Sequence, residues 1–502
     1  TSDLVAVTGA LVLNGANTVA VSLPSGAAPA GTYTLLTYAA KSGAGTLSLF
    51  PALHNATLTV GDTAVTLAVG AGGLSANALT WQGDGSANAW DTATSNWFFG
   101  ASSTAYAEGE AVTFDDTGSA SPAVQITSAA VSPGALTVNN AAKNYMIGGG
   151  AINGGGALSK AGTGALSLSS TNGFTGPVTV SGGTLEAAAA TTGNASAIGG
   201  GANAVTVNEG ARLLFSGDRT AGYHTGPVTV NGGRITCNGS DLNLAAGATL
   251  TFNNSPGTLD GAGLLRRRGS GNKVAVTATA SGSSISITEL NLTDSGPNFD
   301  VANGASDSDL TVSSTVSGGG TLNKNGAGTL MLSGINTYSG GSELLAGAVS
   351  VGAMSGFGSG YIALKNGAAI QYTGTGSETR AGTYWFDNGN AVLNVASPSA
   401  TLTLWRTAGA HNKLMIKTGG GTLRYGATGD NGGSSAQVDG GVLEAISSAN
   451  SAFGSVTVNA GGTFRLGTTD GTGSPLSANH QIADAGAVTV NAGGAFSQNG
   501  MS

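Results

Sequence analysis

Gly154–Ala187 reads GGGALSKAGTGALSLSSTNGFTGPVTVSGGTLEA, and Gly318–Val351 reads GGGTLNKNGAGTLMLSGINTYSGGSELLAGAVSV, in gapless register. A self-match of this length marks a repeat architecture, because each copy is one unit that buries its apolar face only against its neighbours. Inside the copies apolar and small polar residues alternate, as in Ala165-Leu166-Ser167-Leu168, which is the period of a strand with one buried face. Gly-Gly and Asn-Gly pairs interrupt these strands after about four to six residues, where tolerance of positive φ lets the chain turn sharply. No stretch holds a helical period.

Working outward, partial copies recur at Gly43–Leu49 (GAGTLSL), Gly261–Gly271 (GAGLLRRRGSG) and Gly419–Gly426 (GGGTLRYG). A second pattern, Val-Thr-Val-Asn-x-Gly, starts at Val205, Val228, Val456 and Val488, with a close variant at Val178. Repeated corners of one kind favour stacked like rungs over a sandwich or a barrel. The expected fold is all-β: a right-handed parallel β-helix, or β-solenoid, with a small β insertion or joint near residues 80–120.

Composition points the same way. The chain has 86 glycines in 502 residues, more than twice the usual share of about 7 percent. Its 11 prolines follow no three-residue period, which excludes collagen, and 40 percent apolar residues with a formal charge of −8 exclude charge-driven disorder. With only 18 basic residues there is no footprint for nucleic acid or anionic lipid. Only 9 percent of residues are charged, against about 25 percent in soluble monomers, so the surface is suited to packing against copies of itself. No run reaches eighteen apolar residues, so no membrane insertion is expected of this segment. The amino terminus lacks the zones of a secretory signal, and Thr1 reads as a mature terminus or an excerpt. A single cysteine, Cys237, excludes internal disulfides; it shares a strand face with Ile235 and reads as an interior thiol.

Signals for chemistry are weak. His54, His224, His411 and His480 stand far apart without metal-ligand spacing, and no nucleophile elbow or Walker-type loop occurs. Asp115-Asp116 and the group Asp300, Asp307, Asp309 are the carboxylates a polysaccharide-degrading β-helix would require, yet both sit among turn residues. The second group is also a candidate calcium site, although it matches neither an EF-hand nor a calcium nonapeptide. We expect no catalytic residues and no cofactor, with calcium as the one metal to test. Lys160 and Lys324 occupy equivalent corner positions, and aligning Leu265 with Leu158 and Leu322 places Arg267 at the same corner, where a cation donates to turn carbonyls. Phe174 and Tyr338 are likewise equivalent and read as stacked aromatics. Trp81, Trp90 and Trp97 concentrate aromatic area in under twenty residues; buried, they plug a solenoid end or join two modules, and exposed they stack on sugar rings.

These residues carry a resemblance. Gly-Ala-Gly-Thr-Leu-Met-Leu-Ser-Gly-Ile-Asn-Thr-Tyr-Ser-Gly-Gly at Gly326–Gly341 resembles the autotransporter-associated β-strand repeat, also called the passenger-associated transport repeat. Trp81-Gln-Gly-Asp-Gly, Trp90-Asp and Asn96-Trp97 resemble the segment that opens modules of large bacterial surface proteins, while Ser2–Gly9 and Gly31–Tyr38 resemble segments that close them. Three parts follow: residues 1–76 closing a module, 77–120 opening one, and 121–502 forming the Gly-rich β-helix. Closing segments precede the opening one, so joining Ser502 to Thr1 gives a continuous reading, as expected of one frame of a tandem array or of a protomer stacking end to end. The resemblance implies export across a Gram-negative-type envelope and display outside the cell. We therefore expect a non-enzymatic surface fibre, stalk or layer whose partner is itself. The alternatives are a carbohydrate-binding adhesin that takes surface glycans through Trp81, and a polysaccharide-degrading enzyme.

Overall fold

The computed structural model describes residues 4–21, 27–49, 56–70, 74–75, 78–189, 195–217, 226–267, 271–292, 297–387, 389–408, 413–428, 434–448, 451–469, 474–476 and 481–498. The chain divides into two compact units: residues 1–205 with 210–224, and residues 206–209 with 225–502. Each is built from short parallel strands stacked rung on rung, so the fold is a β-solenoid. Among the described residues helix is limited to two single 3₁₀ turns, Ala278–Ala280 and Met354–Phe357.

In the first unit Val5–Ala6, Ala10–Val12 and Ala16–Val19 make one rung, and each runs parallel to its counterpart in Gly31–Thr37, Ala40–Ser42 and Thr46–Leu49. The hairpin Ala56–Val60 and Ala64–Val69 then lies antiparallel against Gly31–Thr37. Leu67 and Val69 anchor the small core beneath it, with Tyr33, Leu35, Leu49 and Leu58 packed around them.

A longer stack begins at Ala78–Trp81. This strand pairs antiparallel with Trp97–Phe99 on one edge and parallel with Ala111–Asp115 on the other. Ala111–Asp115, Ala135–Asn139, Ala157–Ala161 and Val178–Val180 follow in parallel, and Val112, Leu136, Leu158 and Val178 form one in-register column. All four are buried, as strand alternation demands. A second sheet runs through Val124–Val131, Tyr145–Ile152, Ala165–Leu168, Thr184–Ala187 and Arg212–Phe215.

The second unit repeats the scheme from Val228–Asn231 and Arg234–Cys237 onward. Ile370, Leu393, Lys417, Val438, Val458 and Val490 form one of its inward columns. Cys237 is fully buried on the strand with Ile235. The long strand Ser377–Asp387 pairs through its second half with Ile362–Lys365 and through its first half with Thr401–Ala408. From there the stack continues through Thr422–Ala427, Gly441–Ala445, Gly462–Leu466 and Ala495–Gln498.

Candidate functional site

Lys160 stands in an inward column, in register with Val138 before it and Val180 after it, and is fully buried. Its ammonium donates to the carbonyls of Ala161, Gly162 (3.0 Å) and Gly182 (3.2 Å). Lys324, between Phe299 and Leu344, donates to Asn325 (2.8 Å), Gly326 (2.8 Å) and Ala346 (3.2 Å). All three ammonium protons are used, so each lysine ties its own corner to the corner of the next rung. The glycine two residues on has φ of +68° in Gly162 and +76° in Gly326. A Cβ there would fall on the carbonyl oxygen of Asn140 or Val301, so only glycine lets the corner close. Burial pushes both lysines from 10.5 down to about 8.

The same device recurs at Lys417, which the sequence reading passed over. Its Nζ reaches Thr418 (2.6 Å), Gly419 (2.8 Å) and Gly440 (3.0 Å). The signal was present: Lys-x-Gly-x-Gly-x-Leu occurs at Lys160, Lys324 and Lys417 alike. Lys160 and Lys324 sit in one sheet of their rungs and Lys417 in the opposite one, so the string sets a corner without fixing which. Arg267 shows the consequence. Its backbone is in register with Leu244, on a strand flanked by Leu242–Leu244 and Ser283–Asn291, not in the sheet of Lys324. It is therefore not at the Lys160 and Lys324 corner where the alignment put it.

Asn172 and Asn336 are a second pair that the sequence reading left unused. Asn336 Oδ1 accepts the Val316 N–H (2.8 Å) and its Nδ2 donates to Gly356 O (2.6 Å); Asn172 does the same with Ile152 and Ala197. Each buried amide thereby bridges the rungs on either side. Phe174 and Tyr338, two residues on, are also buried. Each ring packs against a positive-φ glycine of a later rung, Gly199 or Gly358, and the Tyr338 hydroxyl meets Ser342 Oγ at 2.6 Å.

Trp81, Trp90 and Trp97 are fully buried. The Trp97 ring centroid lies 4.9 Å from that of Trp81, 5.2 Å from Trp90 and 5.3 Å from Phe114, in edge-to-face arrangements. Trp81 Nε1 donates to Ser119 O at 2.8 Å. Together with the antiparallel pair Trp97–Phe99 and Ser102–Thr104, the cluster closes the edge at which this stack begins. No face of these rings is free for a sugar, which removes the adhesin reading as it was built on Trp81.

At the last described rung the situation is reversed. Val488, Val490 and Phe496 are 40, 44 and 48 percent exposed, whereas their register partners Val456, Val458 and Phe464 are buried. Leu4, Val5, Val7 and Val12 on the first rung are exposed as well.

The carboxylates do not gather. Asp309 is fully buried and accepts from Ser281 Oγ (2.6 Å), Gly304 N (2.7 Å) and Thr329 N (2.7 Å), while Asp300 and Asp307 are exposed. Asp309 is thus occupied as a turn acceptor rather than aimed with the other two at a cation. Asp116 accepts the N–H groups of Ala141, Ala142 and Lys143, which hold it below the ordinary carboxylate range. Asp115 caps Thr117 through its N–H and hydroxyl. Among the described residues no three His, Cys, Asp or Glu side chains group as metal ligands. His54, His224, His411 and His480 lie outside the described residues. Among the described residues no helix is long and apolar enough to cross a membrane.

Among the described residues there is also an outward notch. Glu343, Ala363 and Trp385 are in-register neighbours on three successive strands, flanked by Tyr361 and Lys365. These five line a shallow cavity of about 240 Å³.

The family model described as Passenger-associated-transport-repeat matches residues 158–187 and 322–351. Both matches begin at the leucine two residues before the corner lysine and include the bridging asparagine and the buried aromatic. Neither the comparison with curated proteins nor that with solved structures finds a significant match.

Proposed function

We propose, from the premise that this β-solenoid carries two passenger-associated transport repeats, that it is a non-enzymatic structural protein displayed outside a Gram-negative-type cell. Copies lengthen it into a fibre, stalk or layer by stacking end to end. The observation that supports this reading is that rungs of the long stack are buried by the next rung laid on them in parallel, as Val456, Val458 and Phe464 are beneath Val488, Val490 and Phe496. Strands whose outer edges lack a partner template further pairing.

The first rung supplies a matching surface. Leu11-Val-Leu-Asn-Gly-Ala-Asn-Thr-Val19 repeats the apolar-x-apolar-Asn spacing of Val488-Thr-Val-Asn-Ala-Gly-Gly-Ala-Phe496, and its strands run parallel to their own neighbours as the last strands do. In that register Val488 and Val490 of one copy lie over Leu11 and Leu13 of the next, and Phe496 over Val19. Covering three half-exposed apolar side chains returns roughly 3 kcal/mol, and each ladder hydrogen bond adds about 0.5–1.5 kcal/mol. Association costs about 4 kcal/mol or more, so contacts are micromolar at best and assembly depends on local concentration.

Electron microscopy and sedimentation over a dilution series from about 1 mM to about 1 µM test this. Linear multimers that shorten on dilution, and that are lost in Val490→Arg and Phe496→Arg, are the expected result. Particles of single-chain mass throughout would refute the proposal.

A further inference from the structure

Four of the five tryptophans are buried; Trp385 is 38 percent exposed. Alternation explains its direction, since Tyr384 and Phe386 on either side are fully buried in the core. In the two preceding rungs its column holds Ala363 and then Glu343. Rungs are spaced by about 4.8 Å, so the Trp385 and Glu343 positions are roughly 10 Å apart with only a methyl between them. Ala363 is the floor of the notch, the indole one wall, and Glu343 with Tyr361 and Lys365 the other.

The polar wall is held rigidly. Glu343 Oε1 accepts from the Tyr361 hydroxyl at 2.9 Å, and Oε2 lies 3.2 Å from Lys365 Nζ. The Tyr361 ring rests on Gly341, at φ +98°, where a Cβ would collide with it. After these bonds the ammonium keeps protons and the carboxylate keeps lone pairs to offer, while the Tyr361 hydroxyl is also bonded to Thr321. The wall is thus neutral in sum and offers donors and acceptors side by side. An anion would meet Glu343 and a cation Lys365, and an apolar ligand would strip both of water. A polyhydroxylated neutral ring satisfies donors and acceptors together, and its C–H face stacks on the negative face of the indole. At about 240 Å³ the notch is below the roughly 300 Å³ of drug-sized pockets, the scale of one or two sugar rings.

We propose that this notch is a subsite for a neutral pyranose, with Trp385 as the stacking platform and Glu343, Tyr361 and Lys365 reading the hydroxyls. It does not depend on end-to-end assembly. A solenoid standing on a cell surface would use it to hold a glycan laterally.

The full chain is titrated with cellohexaose, xylohexaose, laminarihexaose, maltohexaose and chitohexaose, followed by calorimetry and by the accessible tryptophan fluorescence. Saturable binding of at least one is expected. Trp385→Ala and the notch-filling Ala363→Leu weaken it by about tenfold or more, and Glu343→Gln by a smaller factor. Unfolding midpoints of Trp385→Ala and Glu343→Gln stay at the wild-type value, because both side chains point outward. Absence of saturable binding to all of these sugars, or binding that persists in Trp385→Ala, overturns the proposal.

Discussion

Replacing Lys324 by methionine isolates the work of the ammonium. Methionine keeps an unbranched stem in the column between Phe299 and Leu344 and has nothing to donate. The carbonyls of Asn325, Gly326 and Ala346 lose their donor, at about 1–3 kcal/mol for each that stays out of water. Against this, removing a charge that burial has pushed from 10.5 to about 8 returns ~3 kcal/mol. Roughly 3–6 kcal/mol is lost and about 3 regained, so the variant is destabilised by ~0–3 kcal/mol, and exchange at the corners is the sharper readout. Stacked rungs contact only their neighbours, so the damage is local as well as global. Urea unfolding should show the lower midpoint, and hydrogen exchange should show faster exchange confined to the corners around Gly326 and Ala346. A variant as stable as wild type, with unchanged exchange at those corners, would refute the capping role of Lys324.

Stability should rise with pH between about 8 and 10 and fall above it. Lys160, Lys324 and Lys417 release protons near pH 8 when folded and near 10.5 when unfolded, so the unfolded chain holds more protons in that window and alkali favours the fold. Above pH 10 the sign reverses, because burial raises Tyr338, Tyr384 and Tyr425 and the unfolded tyrosines ionise first. Scanning calorimetry from pH 7 to 11 checks both limbs; a steady decline from pH 8 would contradict the first. Asn336→Ala strands the Val316 N–H and the Gly356 carbonyl in the interior, and should cost about 2–4 kcal/mol in urea unfolding, with exchange rising in both adjoining rungs.

The solenoid was legible because its two determinants are local. Alternation such as Ala165-Leu166-Ser167-Leu168 sets which residues turn inward, and glycines such as Gly162 and Gly326 set where the chain turns. Register between rungs is not local. Each step along the column Val112, Leu136, Leu158, Val178 advances the chain by 20 to 24 residues, with loops of differing length between. The string Leu265-Arg-Arg-Arg therefore looked equivalent to Leu158-Ser-Lys although it runs along a different side of its rung. The notch at Trp385 was hidden for the same reason. Tyr384-Trp385-Phe386 gives the direction of the indole, but nothing near it in the chain shows that Ala363 and Glu343 stand beside it. Carboxylates misled in the other direction: Asp300, Asp307 and Asp309 are close in sequence, yet only Asp309 turns into the core.

Spin labels on one outward column test the stacking most directly. Ala369, Val392, Ile416, Gln437, Thr457 and Thr489 are successive register partners spread over more than a hundred residues. Paired labels at Ala369 with Gln437, and at Ala369 with Thr489, should report separations near 14 and 24 Å, growing by about 4.8 Å per rung. Separations that do not grow in step with the rung count would contradict the solenoid.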